Sequence, residues 1–213
     1  MEFRLLYEGE LQSSGNKSGP AKKHAIRRKL HLQLRRLWEV HGPLRDLARW
    51  LGIQDLKARG IFIVRQDDPA WPDQKIIQAG IESIGREWSR IGYNFIPLVT
   101  PKEVVRCSLE ILLLRPEETK YVFEQGDIDG QIKTVFDALR IPDSLSETGN
   151  ATPQADETPF YCLLSDDKLI SEVRVTADQL LMLPDQKTVR ANDAFALIHV
   201  KLNAKYPGTL GPF

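Results

Sequence analysis

Six side chains in this sequence have the types and spacing to act on a phosphate: Asp127, Asp129, Lys133, Asp137, Asp166 and Asp167. Asp129, Lys133 and Asp137 recur every four residues, which stacks them on one face of a helix. Asp127 falls just before that helix, where its carboxylate can cap free backbone N–H groups. Asp166 and Asp167 follow an apolar run, Phe160 to Leu164, that reads as a strand. Singly, each motif has a plain reading: Asp-x-Asp before a helix is capping and dipole complementarity, and Asp-Asp after a strand is a turn. Together, on adjacent elements, they point to a cation, because carboxylates brought close repel one another unless neutralised. Mg²⁺ takes oxygen ligands, binds through a few carboxylates plus phosphate oxygens, and can activate water on a phosphodiester. Lys133 can then hold the phosphate or orient the water, or simply pair with Asp129 and Asp137.

Two helices would position this chemistry. From Ile128 onward, Ile128, Ile132, Val135, Phe136 and Leu139 predict one apolar stripe. The second helix is predicted over 21–40, with Ile26, Leu30, Leu34 and Leu37 inward and Lys23, Arg27, His31 and Arg35 on another side. Between Leu11 and Trp38 there is no acid, and eight Lys and Arg give +8. Between Tyr121 and Glu172, eleven acids against Lys133, Arg140 and Lys168 give −8, inside a chain whose net charge is zero. A row of cations on a helix is often only a solvated face. With no acid nearby in sequence to balance it, Lys22, Lys23, Arg27, Arg28, His31 and Arg35 are the expected contacts to a nucleic-acid backbone.

The remaining pattern gives strands at Phe3–Leu11, Val104–Leu114, Leu169–Val175 and Ala194–Leu202. It also gives a short helix from Pro43 to Leu51, a short buried strand from Gly60 to Val64, and a helix from Gln74 to Ile91. Gly92 to Pro101 reads as a loop with a brief apolar piece, and the polar stretch 143–158 as a mobile surface insertion. The expected class is α+β, a mixed β-sheet with packed helices in a single domain over residues 1–213. Composition, 42% hydrophobic and 27% charged, is that of a globular protein. No apolar run reaches the roughly 18 residues that span a bilayer, and Met1-Glu2-Phe3-Arg4 does not open a secretory signal. A cytoplasmic protein without a membrane partner is expected, with Cys107 and Cys162 as buried reduced thiols. The loop Ser13–Pro20 lacks the spacing of a phosphate-binding loop, so no nucleotide cofactor is expected. His24, His31, His41 and His199 are not at metal-ligand spacing, and no nucleophile elbow is present.

The run Gly126-Asp127-Ile128-Asp129-Gly130-Gln131-Ile132-Lys133-Thr134-Val135-Phe136-Asp137-Ala138-Leu139, followed by Asp166-Asp167-Lys168-Leu169-Ile170, resembles the RusA family of Holliday-junction resolvases. In that family an Asp-x-Asp-Asn-x-x-Lys-x-x-x-Asp-x-Leu pattern opens a helix and an Asp-Asp pair follows a later strand. The resemblance implies a RusA-like fold and a Mg²⁺-dependent (or Mn²⁺-dependent) endonuclease that cuts branched DNA as a homodimer. It implies Asp127, Asp129 and Asp167 as metal ligands and Lys133 as the catalytic lysine, with Asp166 a neighbouring acid. Gly130 stands where the family has Asn, the two acidic motifs lie 38 residues apart, and Pro43 to Thr100 matches no part of the pattern. A different class stays open beside it: a non-catalytic nucleic-acid-binding, phage-defence or interaction protein on the same fold.

Overall fold

The structure is a computed structural model that describes residues 1–11, 19–63, 70–102, 105–116, 128–180 and 193–204. Among these described residues, two sheets and four helices make an α+β arrangement. The larger sheet holds β1 (Glu2–Glu10), β4 (Val105–Pro116), β6 (Ile170–Leu180) and β7 (Asp193–Ala204) in the order β1-β7-β4-β6. It is mixed: β7 runs antiparallel to β1 and β4, and β6 runs parallel to β4. The smaller sheet holds β2 (Ser89–Arg90), β3 (Tyr93–Val99) and β5 (Phe160–Leu164), with β3 and β5 parallel.

α1 (Gly19–Val40) is the central helix: it packs on β1 of the first sheet, on β5 of the second, and on α4 (Ile128–Leu139). Its Ile26, Leu30, Leu34 and Trp38 are buried at three- and four-residue spacing, the pattern of a core-facing stripe. They join Leu5, Tyr7, Ile111, Ile198, Val135, Leu163 and others in one hydrophobic cluster that draws on both sheets and all four helices. α1 also closes the outer edge of β1. The Gln33 carboxamide accepts from the Leu6 N–H at 2.8 Å and donates to the Leu6 carbonyl at 2.7 Å, standing in for a neighbouring strand.

α2 (Gly42–Ala58) and α3 (Asp73–Glu87) form a close pair. A Cβ at Gly52 would lie 1.9 Å from the Ile76 carbonyl oxygen, and one at Gly80 would lie 1.8 Å from that of Ala48. The two backbones therefore touch, and only glycine fits at the crossing.

Several expectations are met and others corrected. The α+β class holds, as do the helices at 21–40 and 128–139 and the strands corresponding to β1, β4, β5, β6 and β7. The expected strand over 60–64 is absent from its described part: residues 61–63 form none, and Phe62 is 68% exposed. The expected loop over 92–101 is instead β3, a strand buried almost throughout. Burial on both faces removes the alternation that marks a half-exposed strand. The polar stretch 143–158 is not a free insertion. It carries two 3-10 turns, Leu145–Thr148 and Ala155–Glu157, and lies against α1. Its Gly149, at φ +67°, sits where a Cβ would come 3.0 Å from the Ala21 Cα, so the chain approaches the helix closely. No described helix is long and apolar enough to cross a membrane.

Candidate metal and nucleic-acid site

α4 is turned about its axis relative to the sequence-based stripe. Its buried residues are Gln131, Thr134, Val135, Asp137, Ala138 and Leu139, while Ile132 and Phe136 are only half-buried. The turn moves Asp137 inward and leaves Asp129 and Lys133 exposed, one turn apart. Asp127 lies outside the described residues.

Asp137 does not pair with Lys133. Its carboxylate takes a hydrogen bond from the Lys23 ammonium and lies 3.6 Å from the Arg140 guanidinium, and its carbonyl accepts from Arg27. Asp137 is thus a fixed structural acid at the α1–α4 contact. Asp129, eight residues earlier, lies about 12 Å back along the helix axis at 1.5 Å per residue.

Asp166 and Asp167 sit where β5 hands the chain to a short 3-10 turn, Asp167–Leu169. Asp166 has extended backbone and caps that turn, its carboxylate accepting from the Lys168 N–H at 2.9 Å. That bond, chiefly, holds the Asp166 pKa down. Burial raises the Asp167 pKa, and a hydrogen bond to the Asp166 carboxylate raises it further. Arg140 pulls Asp167 the other way, while the Asp137 charge adds to the rise. The two carboxyls influence each other in opposite senses, so their titrations are linked. Next to the pair in sequence, Ser165 Oγ is buried without a hydrogen-bond partner among the described residues, and so is Gln131 Oε1 on α4. Among the described residues no three His, Cys, Asp or Glu side chains are grouped to hold a metal ion. The adjacent pair fits a cation that needs only one or two carboxylates and completes its shell with water and phosphate, which is the habit of Mg²⁺.

The six expected phosphate contacts on α1 are placed very differently from a free basic face. Arg27 is 1% exposed, its guanidinium donating to the Asp137 carbonyl at 2.7 and 3.1 Å and to the Glu147 carbonyl at 2.9 Å. His31 is equally buried: its Nδ1 accepts from the Tyr161 N–H at 2.8 Å, and its Nε2 lies 3.1 Å from the Asp156 carbonyl oxygen. Lys23 is taken by Asp137, and Arg28 pairs with Glu157, itself 2% exposed. Lys22 pairs with Glu10 at 2.8 Å, and Arg35 with Glu39 at 3.2 Å. Arg27 and His31 are therefore corrected from backbone contacts to interior groups. Apart from Arg35, held by Glu39 of the same helix, these cations get their counter-charges from outside α1, above all from the acidic stretch Asp137–Glu157. Glu147 and Glu157 are the residues that sequence reasoning missed. The matching +8 and −8 segments carried the signal, since opposite charges of equal size in one chain suit each other as well as any outside partner.

Compared with known proteins, the chain matches no family model, no curated protein and no solved structure.

Proposed function

We propose that this protein is a Mg²⁺-dependent endonuclease that cleaves phosphodiesters in branched DNA, acting as a homodimer. The observation that carries the reading is the Asp166–Asp167 pair, two adjacent carboxylates at the end of β5 whose charges a cation would relieve. Asp129 and Lys133 lend support as an exposed acid and an exposed amine one turn apart, and so does the resemblance of both motifs to a resolvase pattern. In this reading Asp127, Asp129 and Asp167 hold the metal, Asp166 orients Asp167, and Lys133 meets the scissile phosphate. Bound there, Mg²⁺ supplies a Lewis acid and a water of lowered pKa. Two strands cut symmetrically call for two sites related by a two-fold axis, hence the homodimer.

A second reading is a non-catalytic nucleic-acid-binding or interaction protein on this fold. What favours it is that the basic residues of α1 are spent on internal partners. The discriminating experiment incubates a labelled four-way junction, a linear duplex and a single strand with Mg²⁺ or Mn²⁺, beside an Asp129→Asn control. Junction cleavage that the control loses is the expected result. Cleavage of duplex alone removes the branched-DNA assignment, and cleavage of none of the three leaves the non-catalytic reading.

A further inference from the structure

A crevice of about 540 Å³ opens between the C-terminal half of α1, the start of α3 and residues 155–161. It lies within the size range of small-ligand pockets, about 300–1,000 Å³. None of the acids or the lysine of the endonuclease reading lines it. One wall is aromatic: the Trp38 and Tyr161 rings have centroids 6.4 Å apart, tilted by 54°. Ile77 and Ile81 add an apolar floor, and Gln74 and Gln78 bring two carboxamides, each able to donate and accept. Trp38 is 5% exposed, and its indole N–H has no acceptor among the described residues. Burial pushes the Tyr161 phenol up to about 12, so this wall puts no negative charge against a ligand.

The mouth decides the charge of the guest. Arg35 is already engaged by Glu39, and Asp156 lines the opposite wall with residues 155–161, but Arg45, exposed on the first turn of α2, has no ion pair among the described residues and offers the phosphate its cation. That turn holds no acid, and the helix has no side-chain cap, so its partial positive charge adds to the Arg45 guanidinium. An aromatic wall, two carboxamides for a hydrogen-bonding edge and an unpaired guanidinium at the rim are complementary to a base that carries a phosphate.

We propose that this crevice binds a nucleotide unit, its base against Trp38 and Tyr161 within reach of Gln74 and Gln78, and its phosphate at Arg45. The unit is either a free mononucleotide or an unpaired nucleotide of a strand, which present the same base and phosphate. The proposal stands apart from phosphodiester cleavage, because the two sites share no residue. A nucleotide that binds when junction cleavage is absent, or the reverse, tells the two readings apart.

Calorimetry on the full chain tests it, with dTMP, dAMP, thymidine, inorganic phosphate and a six-residue oligothymidylate as probes. Expected are binding of both mononucleotides, thymidine at least about tenfold weaker, and inorganic phosphate weaker than either. Arg45→Ala should weaken dTMP about tenfold, as loss of a charge-assisted bond does, and leave thymidine unchanged. Ile77→Trp should abolish both by filling the crevice. Gln74→Glu, at an exposed position that folding tolerates, should weaken dTMP by replacing the carboxamide's N–H donors with a carboxylate at the edge of the base. An oligothymidylate that binds more tightly than dTMP and responds to Arg45→Ala assigns the site to strands. An oligothymidylate that fails where dTMP binds assigns it to free nucleotides. No binding of either mononucleotide at millimolar concentration, or binding indifferent to Arg45→Ala and Gln74→Glu, overturns the proposal.

Discussion

Arg27 is a single cation on which two distant parts of the chain converge. Its guanidinium satisfies the carbonyls of Asp137 and Glu147 from the middle of α1, and the Glu147 carboxylate stands 3.5 Å away. Burial works against its charge, lowering its pKa, and those acceptors offset the loss. Arg27→Met keeps the volume but leaves the Asp137 and Glu147 carbonyls without their charged donor, while Arg140 still holds the Glu147 carboxylate. It should cost about 3 kcal/mol in urea unfolding, as breaking a buried charge pair typically does. A variant within 0.5 kcal/mol of wild type, roughly the spread of surface changes, would show the network to be dispensable. His24 gives a pH prediction. Burial, with Arg28 and Arg27 close by, pulls its pKa from 6.5 to about 4. Between those values the unfolded chain binds a proton that the folded one refuses, so stability is full above pH 6.5 and falls as the pH drops towards 4. His24→Phe should flatten unfolding midpoints across that window, and an unchanged slope would place the effect elsewhere. His31, lowered chiefly by burial, adds to the fall in the same direction.

At the scale of elements, what could be read in the sequence followed from what is local. α1, α4 and the half-exposed strands announce themselves by periodicity, because their own residues alternate between core and solvent. β3 does not, since both its faces are covered, and Pro97 with Gly92 nearby imitates a loop. The stretch 143–158 differs from its sequence reading for another reason: its few apolar residues say nothing of Glu147 and Glu157, which α1 holds from more than a hundred positions away. The rotation of α4 that buries Asp137 is likewise set by Lys23 and Arg27, which no helical pattern within α4 reveals. The Asp-Asp pair and its place after a strand are legible in full, whereas the rise of the Asp167 pKa depends on burial, Asp166, Arg140 and Asp137, which no local pattern shows. The α2–α3 crossing yields a test at this scale. Gly80→Ala forces apart backbones that already touch, and should destabilise the protein by about 2 kcal/mol, within the usual range for overpacking. Thermal denaturation that matches wild type would contradict the close crossing.

At the scale of the whole molecule, a net charge of zero conceals an internal division of labour. The basic helix and the acidic stretch neutralise each other within the fold, which leaves the long-range field weak and puts the burden of any phosphate recognition on a few local groups. The Asp166–Asp167 pair is then the place where an added cation has most to relieve. The most direct test is a calorimetric titration of Mg²⁺, and in parallel Mn²⁺, into the wild-type chain and into the double variant Asp166→Asn with Asp167→Asn. Asparagine at 166 can still cap the following turn, so the fold is kept while the charge is removed. The account predicts saturable binding to the wild type that the double variant loses. Equal binding by both chains, or none by the wild type, would contradict it.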